Sequence, residues 1–415
     1  MNDFSQRKLS SIKIPKLDKP KGKVQEILDF LNDNYAIKVN CFDTSKSKIE
    51  SKIRKYEHQV TFDDISLHAW DEGISAGDTI LRKIMRSPNQ MLTYNPIVEY
   101  FDNLKGKFAG KSQIDLLCEH LTARDFGDKA PDYYQNRLNY IVKKWCVATV
   151  ACVYGRKPND VALGFIQRDE GIGKTHLAKF FTPSILNDFY NTSDKDSKVF
   201  NMSDAVTRNL FINFDELVGV NNRNIDDFKK VLTASTLEVK GRGDIYMRRQ
   251  QRIASILFTS NRVAELGGFL HSSYGYRRWG TIELDSINRN YSNVVDVDQL
   301  WAEAITLMEG GYDFVWNMED TISFKDYNTR YLIETPAMKL LKLYYEPGSD
   351  DADSRWLQAS EIIGELLKSK RLTSEYLKEI SAEKMGEALR TLKYERQSKR
   401  RPDGVRYCYC IKNKV

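Results

Sequence analysis

The chain has 415 residues, of which 41% are hydrophobic and 29% charged, so it can bury a substantial core and divide into two or three domains. No run approaches the roughly 20 apolar residues that a membrane span requires, and the first 22 residues lack the apolar stretch of a signal peptide. We therefore expect a globular cytoplasmic protein, and the formal net charge of +6 is too mild to identify a partner.

The pattern of apolar residues divides the chain into four parts. Residues 1–22 are rich in Lys, Ser and Pro and predict a flexible basic arm. Residues 23–140 form a mainly helical region, because apolar residues recur three and four apart from Val24 and again from Ile74. Residues 141–335 alternate short apolar strands with helices, which is typical of a parallel sheet covered on both faces. Residues 336–415 contain short helices and then two strands.

The cysteines indicate neither a zinc site nor a disulfide framework, because no two of them form a CxxC pair. We expect reduced side chains in the core or in strands, at Cys41, Cys118, Cys146, Cys152, Cys408 and Cys410.

The first chemical motif is the sequence GIGKT, which lies between an apolar strand and a helix. Gly171 and Gly173 let backbone N–H groups approach a phosphate, the start of the helix favours negative charge, and Lys174 reaches the outer phosphates of a nucleotide. In such a P-loop Thr175 holds Mg²⁺. Arg168 stands where the usual pattern has its first glycine, so a chance glycine-rich turn remains the alternative.

Two adjacent acids end the next apolar strand, NLFINF, forty residues after Thr175. This is the layout of a Walker B strand, in which Asp215 coordinates Mg²⁺ through water and Glu216 polarises the attacking water as a general base. An exposed acidic strand end is the alternative, which the spacing and the order disfavour.

Two later segments add polar groups. The strand RIASILFTSN ends in Thr259, Ser260 and Asn261, whose amide is able to orient water against a terminal phosphate. Arg277 and Arg278 come just before the next strand, and guanidinium groups suit the charge that develops in phosphoryl transfer. A surface arginine pair or a salt bridge is the alternative.

In this order the motifs resemble those of the superfamily 3 helicases, and most nearly the virulence-associated protein E (VapE) group of phages and mobile elements. The group's P-loop resembles QGIGK followed by Ser or Thr, here EGIGKT. Its sensor strand resembles TTN or TSN, here TSN, and its arginine segment resembles NRRFW, here YRRWG. The helical segment Tyr94–Phe108 is also similar to the family, and the likeness spans about Ile74 to Asn328. The chain departs from the pattern at Arg168, Glu170 and Gly280.

This resemblance implies an α/β protein with an AAA+-like P-loop ATPase core, an N-terminal helical region and a C-terminal winged-helix domain. It implies a homo-hexameric ring that uses ATP and Mg²⁺ and moves along single-stranded or forked DNA during replication of a mobile element or prophage. Since no primase metal-binding set is visible, priming is expected from a separate protein. The expected catalytic residues are Glu216, Asn261, Arg277 and Arg278, and the expected nucleotide-binding residues are Gly171, Gly173, Lys174, Thr175 and Asp215, with Mg²⁺ on Thr175 and Asp215.

Superfamily 3 proteins place a basic β-hairpin that points into the ring channel between the acids and the sensor strand. Here Glu238–Arg252 takes that position, with Gly241 and Gly243 suited to the turn. Lys240 and Arg242 at its tip are expected to contact DNA phosphates, and an ordinary solvated hairpin is the alternative.

From about Pro336 the order of three helices, a strand, a turn at Pro402–Gly404 and a strand is that of a winged helix. The predicted recognition helix is Ala382–Tyr394, and residues 390–415 hold nine Lys and Arg against two acids. A module used only for protein contact, or a solvated tail, is the alternative. In the winged helix Met385, Leu389 and Leu392 face inward, and the DNA-binding side chains are Lys384, Arg390, Lys393, Lys399, Arg400 and Arg401.

Three functions are compatible with these motifs. The first is an ATP-dependent replicative DNA helicase that translocates as a ring. The second is a replication initiator or loader that binds origin DNA and uses ATP as an assembly switch without unwinding. The third is a structural DNA-binding protein with a degenerate P-loop, which the persistence of the acid pair, Asn261 and the arginine pair disfavours.

Overall fold

The chain is described by a computed structural model of mixed α/β class, with several sheets and many helices. Most of the predicted N-terminal arm lies outside the described residues. No helix in the described part of the chain is long and apolar enough to cross a membrane. The structure describes residues 22–43, 46–53, 55–56, 58–74, 78–85, 87, 90–192, 201–217, 225–240, 247–266, 268–270, 275–349, 353–369, 380–402 and 404–414.

The chain consists of two compact units, Met1–Tyr100 and Phe101–Val415. In the first unit a small sheet has the order β2-β1-β3, with β1 antiparallel to β2 and parallel to β3. Helix α1 begins one residue before the predicted Val24 and buries Ile27 and Leu31 in the core of this unit. The elements are α1 (Lys23–Asn34), β1 (Tyr35–Asn40), β2 (Lys48–Ser51), α2 (Phe62–Asp71), α3 (Asp78–Met85), β3 (Leu92–Tyr94) and α4 (Pro96–Leu104), which ends in the second unit.

The second unit begins with helices and then builds a six-stranded sheet. Its elements up to the last strand of that sheet are α5 (Gln113–Glu119), β4 (Leu121–Ala123), α6 (Tyr133–Val153), β5 (Ala162–Ile166), α7 (Lys174–Phe180), β6 (Tyr190–Thr192), α8 (Met202–Arg208), β7 (Phe211–Phe214), α9 (Ile225–Thr233), β8 (Thr236–Val239), β9 (Arg248–Gln251), β10 (Ser255–Ser260) and β11 (Trp279–Ile287).

The order of this sheet is β4-β11-β5-β10-β7-β6. Strands β11, β5, β10, β7 and β6 are parallel, as the continuous apolar runs predict, and β4 is antiparallel at one edge. The chain leaves β5 toward β6 on one side and returns from β10 to β11 on the other. Ligands of open α/β sheets bind at the carboxyl ends of the strands near such a reversal, which here lies beside β5.

Large side chains cover both faces of the sheet, which confirms that part of the sequence prediction. On one face Phe165 stacks on Phe181 and Phe211 stacks on Trp301. On the other face the ring of Phe258 lies where a side chain at position 164 would otherwise be, so that only a glycine fits at Gly164 in the neighbouring strand. Burial of such aromatic side chains supplies much of the free energy that orders the sheet.

Helices and a second, four-stranded sheet complete the unit. The strand β15 pairs with β12, β13 and β14, and β14 and β15 form the predicted hairpin. Met385 and Leu389 face inward as predicted, and Leu392 is partly buried against the same core. The elements are α10 (Tyr291–Val294), α11 (Val297–Glu309), α12 (Met318–Asn328), α13 (Pro336–Tyr344), β12 (Tyr345–Pro347), β13 (Arg355–Leu357), α14 (Ala359–Lys368), α15 (Ala382–Thr391), β14 (Arg396–Arg401) and β15 (Gly404–Asn413).

All six cysteines have free thiols, and five of them are buried. Cys41 differs from the expectation, because it follows the end of β1 and is exposed.

Candidate functional site at the carboxyl edge of the sheet

Residues 167–173, called the glycine loop from here on, connect β5 to α7. Gly171 and Gly173 have φ of 75° and 114°, which only glycine adopts without cost. Arg168 is not among the residues with positive φ, so this position requires no glycine. The departure from the usual pattern at Arg168 therefore leaves the backbone of the loop unstrained.

Lys174 begins α7 and is almost fully buried, at 8% exposure. Its Nζ donates to the carbonyl oxygens of Gln167 at 2.9 Å and Asp169 at 2.8 Å, which close the loop around the ammonium group. Burial lowers the pKa of Lys174, and the nearby carboxylates of Glu216 and Glu170 oppose that shift. A charged donor is thus held at the mouth of the loop by bonds that an anion can replace.

The two acids of the Walker B prediction lie directly after β7, and Thr175 and Thr259 bind them. Thr175 Oγ1 donates to Asp215 Oδ1 at 3.0 Å, and Thr259 Oγ1 donates to the same carboxylate oxygen. The backbone N–H of Glu216 donates to Thr259 Oγ1 at 3.3 Å. Two hydroxyls and one carboxylate therefore converge at the carboxyl edge, next to Lys174.

Glu216 has φ 52° and ψ 24°, a left-handed conformation that is uncommon for a residue other than glycine. Such strain persists only where neighbouring contacts enforce it, and it is concentrated at functional sites. The bond from Glu216 N to Thr259 is one of these contacts.

Asn261 follows β10 and contacts the glycine loop. Its Nδ2 donates to Glu170 Oε1 at 3.4 Å, and the N–H of Gln167 donates to the carbonyl of Ser260 at 3.1 Å. The structure thus brings Gly171, Gly173, Lys174, Thr175, Asp215, Glu216 and Asn261 to one edge of the sheet.

Arg289 also belongs to this edge and was not predicted from the sequence. Its Nε donates to the carbonyl of Ile172 at 3.0 Å, and its Nη2 donates to the carbonyl of Gly171. If residue 173 had a side chain, its Cβ atom would lie only 3.0 Å from Arg289 Nε. An arginine two residues after a strand that neighbours β5 is the signal that points to it, because parallel strands end at the same edge.

Arg277 and Arg278 lie at the opposite edge, in the turn that precedes β11. Trp279 pairs with Ala162, the first residue of β5, so the length of β5, about 16 Å at roughly 3.3 Å per residue, separates the arginines from the glycine loop. Arg277 is exposed and Arg278 is half-buried, and burial lowers the pKa of Arg278. Within this chain they are not brought to the acids.

An ion-pair network supports the side of the sheet that carries β11. Arg124 bonds to Glu265 and to the buried carboxylate of Glu283, whose other oxygen accepts from Tyr331 Oη at 2.7 Å. These bonds to Glu265 and Glu283 raise the pKa of Arg124, whereas burial raises the pKa of Glu283. The network ties β4 and the turn at Glu265 to the strand beside β5.

The predicted basic hairpin has antiparallel arms, β8 and β9, with Val239 opposite Arg248. Lys240 follows β8 and is exposed. Arg242, Gly241 and Gly243 lie outside the described residues. Arg252, at the end of this segment, is buried and donates to the carbonyls of Ala254 and Asn159, which is a structural role.

The basic residues near the C-terminus differ in how far they are exposed, and exposed Arg390 also donates to Tyr409 Oη at 3.3 Å. Lys384, Arg390, Lys393 and Arg400 are exposed. Lys399 is half-buried, with Nζ 4.2 Å from the ring centre of Trp356. Arg401 donates to the carbonyl of Trp356 at 2.7 Å and pairs with Glu361, so its guanidinium already has partners within the protein.

The donor set at the acid pair fits a hard cation. Mg²⁺ prefers oxygen ligands, keeps several waters and is held by one or two carboxylates, and Thr175 and Asp215 supply a hydroxyl and a carboxylate whose oxygens lie 3.0 Å apart. No group of three His, Cys, Asp or Glu residues suited to a metal occurs in the described part of the chain. The residues therefore fit a cation that shares its ligands with phosphates and water.

A family model, the virulence-associated protein E-like domain, matches residues 110–331, which is more than half of the chain. No curated protein matches the chain. Among solved structures, the apo structure of the NrS-1 C-terminal region (305–718) is similar at 12% identity, with 95% of this chain and 100% of that chain covered and a TM-score of 0.46. The A form apo structure of the same region is similar at 11% identity, with 94% and 100% covered and a TM-score of 0.44.

Proposed function

The chain belongs to the virulence-associated protein E-like domain family, and on this premise we propose that it is an ATP-dependent DNA helicase that serves replication of a mobile element or prophage. One observation carries the proposal. Lys174, Thr175, Asp215 and Thr259 meet at the carboxyl edge of a parallel sheet, around a loop whose two glycines have positive φ.

In this proposal ATP hydrolysis uses Lys174, Thr175 and Asp215 together with Glu216 and Asn261. Lys174 exchanges its bonds to loop carbonyls for bonds to the outer phosphates, and Thr175 and Asp215 would hold Mg²⁺. When bound, ATP supplies the phosphoryl group, and Mg²⁺ neutralises its charge. The Glu216 carboxylate accepts a proton from water, and Asn261 orients that water.

Arg277 and Arg278 act in this proposal on the site of a neighbouring subunit. Their separation from the glycine loop of their own chain supports this role, because a head-to-tail ring brings two different surfaces of adjacent subunits together. A guanidinium supplied from the neighbour stabilises the charge of phosphoryl transfer. The proposed assembly is a closed homo-hexameric ring.

DNA is the proposed partner because of the exposed basic residues of the C-terminal module. Three helices and the β14–β15 hairpin support a winged-helix assignment, in which α15 and the hairpin contact phosphates through Lys384, Arg390, Lys393 and Arg400. Tyr407 of β15 is 62% exposed and has the guanidinium of Arg396 3.6 Å from its ring centre. Aromatic and basic groups together suit single-stranded DNA.

Duplex unwinding by the wild type and by Lys174→Ala tests the proposal, with Lys111→Ala, an exposed lysine before α5, as the matched control. We expect ATP-dependent unwinding by the wild type and the control and none by Lys174→Ala. Equal unwinding by all three proteins would overturn it. ATP turnover and ATP-dependent assembly without strand separation would instead favour a replication initiator or loader.

A further inference from the structure

A cavity of about 490 Å³ opens beside α7, next to the glycine loop. His176, Lys179 and Phe180 of α7 line one side, Thr182 lies in the turn after the helix, and Ser292 and Asp296 line the other side. The volume lies within the range of small-molecule sites. None of these residues has a role in the hydrolysis chemistry proposed above.

The cavity begins where the glycine loop ends. His176 follows Thr175 directly, and Phe180 lies six residues after Lys174, which corresponds to about 9 Å along the helix axis. A molecule with its phosphates at Lys174 and a rigid extension of this length therefore reaches the cavity along the same helix.

One short segment contacts both the glycine loop and the cavity. Arg289 donates to the carbonyls of Gly171 and Ile172, and two residues later Tyr291 Oη lies 2.7 Å from His176 Nδ1. Ser292, the next residue, lines the cavity and donates to the carbonyl of Arg289 at 3.0 Å. The loop and the cavity thus form two parts of one connected surface.

The cavity lining combines apolar and polar groups, which suit the base and the hydroxyl groups of a nucleoside. The half-buried ring of Phe180 packs edge-on against Tyr291 with ring centres 4.8 Å apart, which provides an apolar wall. The hydroxyl of Thr182, in a side chain that is 7% exposed, has no hydrogen-bond partner in the described part of the chain. A buried polar atom without a partner costs free energy that a bound donor or acceptor recovers.

We propose that this cavity binds the base and ribose of the nucleoside triphosphate whose phosphates lie on the glycine loop. The inference rests on the proposed function and adds a specificity site to it. Phe180 packs against the base, and the Thr182 hydroxyl forms a hydrogen bond with the nucleoside. The Arg289–Ser292 segment contacts both the cavity and the glycine loop, so a nucleoside in the cavity also affects the loop. The site thereby selects a nucleoside triphosphate over an inorganic polyphosphate.

Calorimetric titration with ATP and, separately, with inorganic tripolyphosphate tests the inference, because the second ligand has the phosphates without the nucleoside. In Ser292→Trp, which fills the cavity, we expect the Kd for ATP to rise at least tenfold and the Kd for tripolyphosphate to stay within twofold. Asn293→Trp, at the exposed neighbouring position outside the cavity lining, should change neither. In Lys174→Ala both ligands should be lost.

A second variant removes only the unpartnered hydroxyl. Thr182→Val should weaken ATP binding severalfold, leave tripolyphosphate binding unchanged and not lower the unfolding temperature, whereas a purely structural threonine would lower that temperature. Photolabelling with 8-azido-ATP should place the label in residues 176–187 or 289–298. A label confined to other segments, or equal effects of Ser292→Trp on both ligands, would overturn the inference. A wild type that binds neither ligand would overturn the proposed function itself.

Discussion

The hydroxyl of Thr259 donates a hydrogen bond to the carboxylate of Asp215 and accepts one from the backbone N–H of Glu216, with the nitrogen 3.3 Å from Thr259 Oγ1. One buried side chain thus holds both acids of the site. The register explains this contact, because Phe258 of β10 pairs with Phe214 of β7, so Thr259 stands level with the residue that follows β7. Thr259 is a positioning residue rather than a group that contacts substrate.

The first prediction concerns the Thr259 hydroxyl, which a valine at this position lacks while keeping nearly the same side-chain shape. Thr259→Val should lower ATP turnover about 10- to 100-fold, the range found when a residue that orients a metal ligand is lost. It should also cost about 1–3 kcal/mol of unfolding free energy, because buried polar groups lose their partner. Steady-state turnover and chemical denaturation measure the two effects. Thr259→Ser keeps the hydroxyl and should retain most of the activity, and a fully active Thr259→Val would contradict the assigned role.

The second prediction separates the chemistry of Glu216 from its strained backbone. Glu216→Gln should reduce turnover by about 10²- to 10⁴-fold, the usual contribution of a general base, while ATP still binds. Glu216→Gly should lose turnover as well, but it should gain about 1 kcal/mol of stability because glycine adopts φ 52° without cost. Turnover, ATP titration and denaturation distinguish the two variants. Normal turnover in Glu216→Gln would exclude Glu216 as the base.

Periodicity was sufficient for the parallel strands and for the burial of Met385 and Leu389, since apolar spacing reports directly which face of an element is covered. It did not predict which side chains contact the acids. Asn261, which is expected to orient water against a terminal phosphate, contacts Glu170 of the glycine loop, and the sequence did not indicate that contact. Pairing register between strands distant in sequence decides such contacts, and no local pattern encodes it.

Tertiary contacts also decide which basic residues are available. Lys399, Arg400 and Arg401 are adjacent and indistinguishable by charge, yet only Arg400 is exposed. Arg289 was missed for a related reason. Strand β11 continues to Ile287, and its length brings Arg289 to the glycine loop.

The third prediction concerns Arg277 and Arg278, which β5 separates from the glycine loop of their own subunit. The double variant Arg277→Ala/Arg278→Ala should lose ATP turnover, as should Glu216→Gln. Mixed in equal amounts, the two inactive proteins should regain turnover toward about one quarter of the wild-type value, because random head-to-tail assembly restores that share of complete sites. Turnover is measured against the mixing ratio. No recovery in assembled mixtures would show that the arginines do not act across subunits.

The fourth prediction tests the network of Arg124, Glu265 and Glu283. Arg124→Met should destabilise the fold by about 3–5 kcal/mol at pH 7.5, because it leaves the Glu283 carboxylate buried without its cation. Burial already raises the pKa of Glu283 and Arg124 opposes that shift, so the variant raises it further.

Because the pKa of Glu283 is higher in the folded than in the unfolded chain, the folded state takes up the proton first as pH falls. The loss of unfolding free energy in Arg124→Met should therefore become smaller as the pH falls through the raised pKa of Glu283. Above that pKa the loss should keep its full size. Urea denaturation at several pH values measures this trend. Glu283→Gln in the same background should remove the pH dependence, and an unchanged deficit across the series would refute the account.

The fifth prediction contrasts two neighbouring arginines of the β14–β15 hairpin. Arg400 is exposed, whereas Arg401 donates to the carbonyl of Trp356 and pairs with Glu361. If Arg400 contacts a DNA phosphate, Arg400→Ala should reduce the slope of log affinity against log salt by about 0.9 on duplex DNA or about 0.7 on a single strand. Arg401→Ala should leave the slope unchanged and lower the unfolding temperature. Titration of labelled DNA at several salt concentrations measures both slopes. Equal slope changes in the two variants would mean that Arg401 readily exchanges its bonds within the protein for bonds to phosphate. An unchanged slope in Arg400→Ala would show that the tip of the hairpin does not belong to the DNA interface.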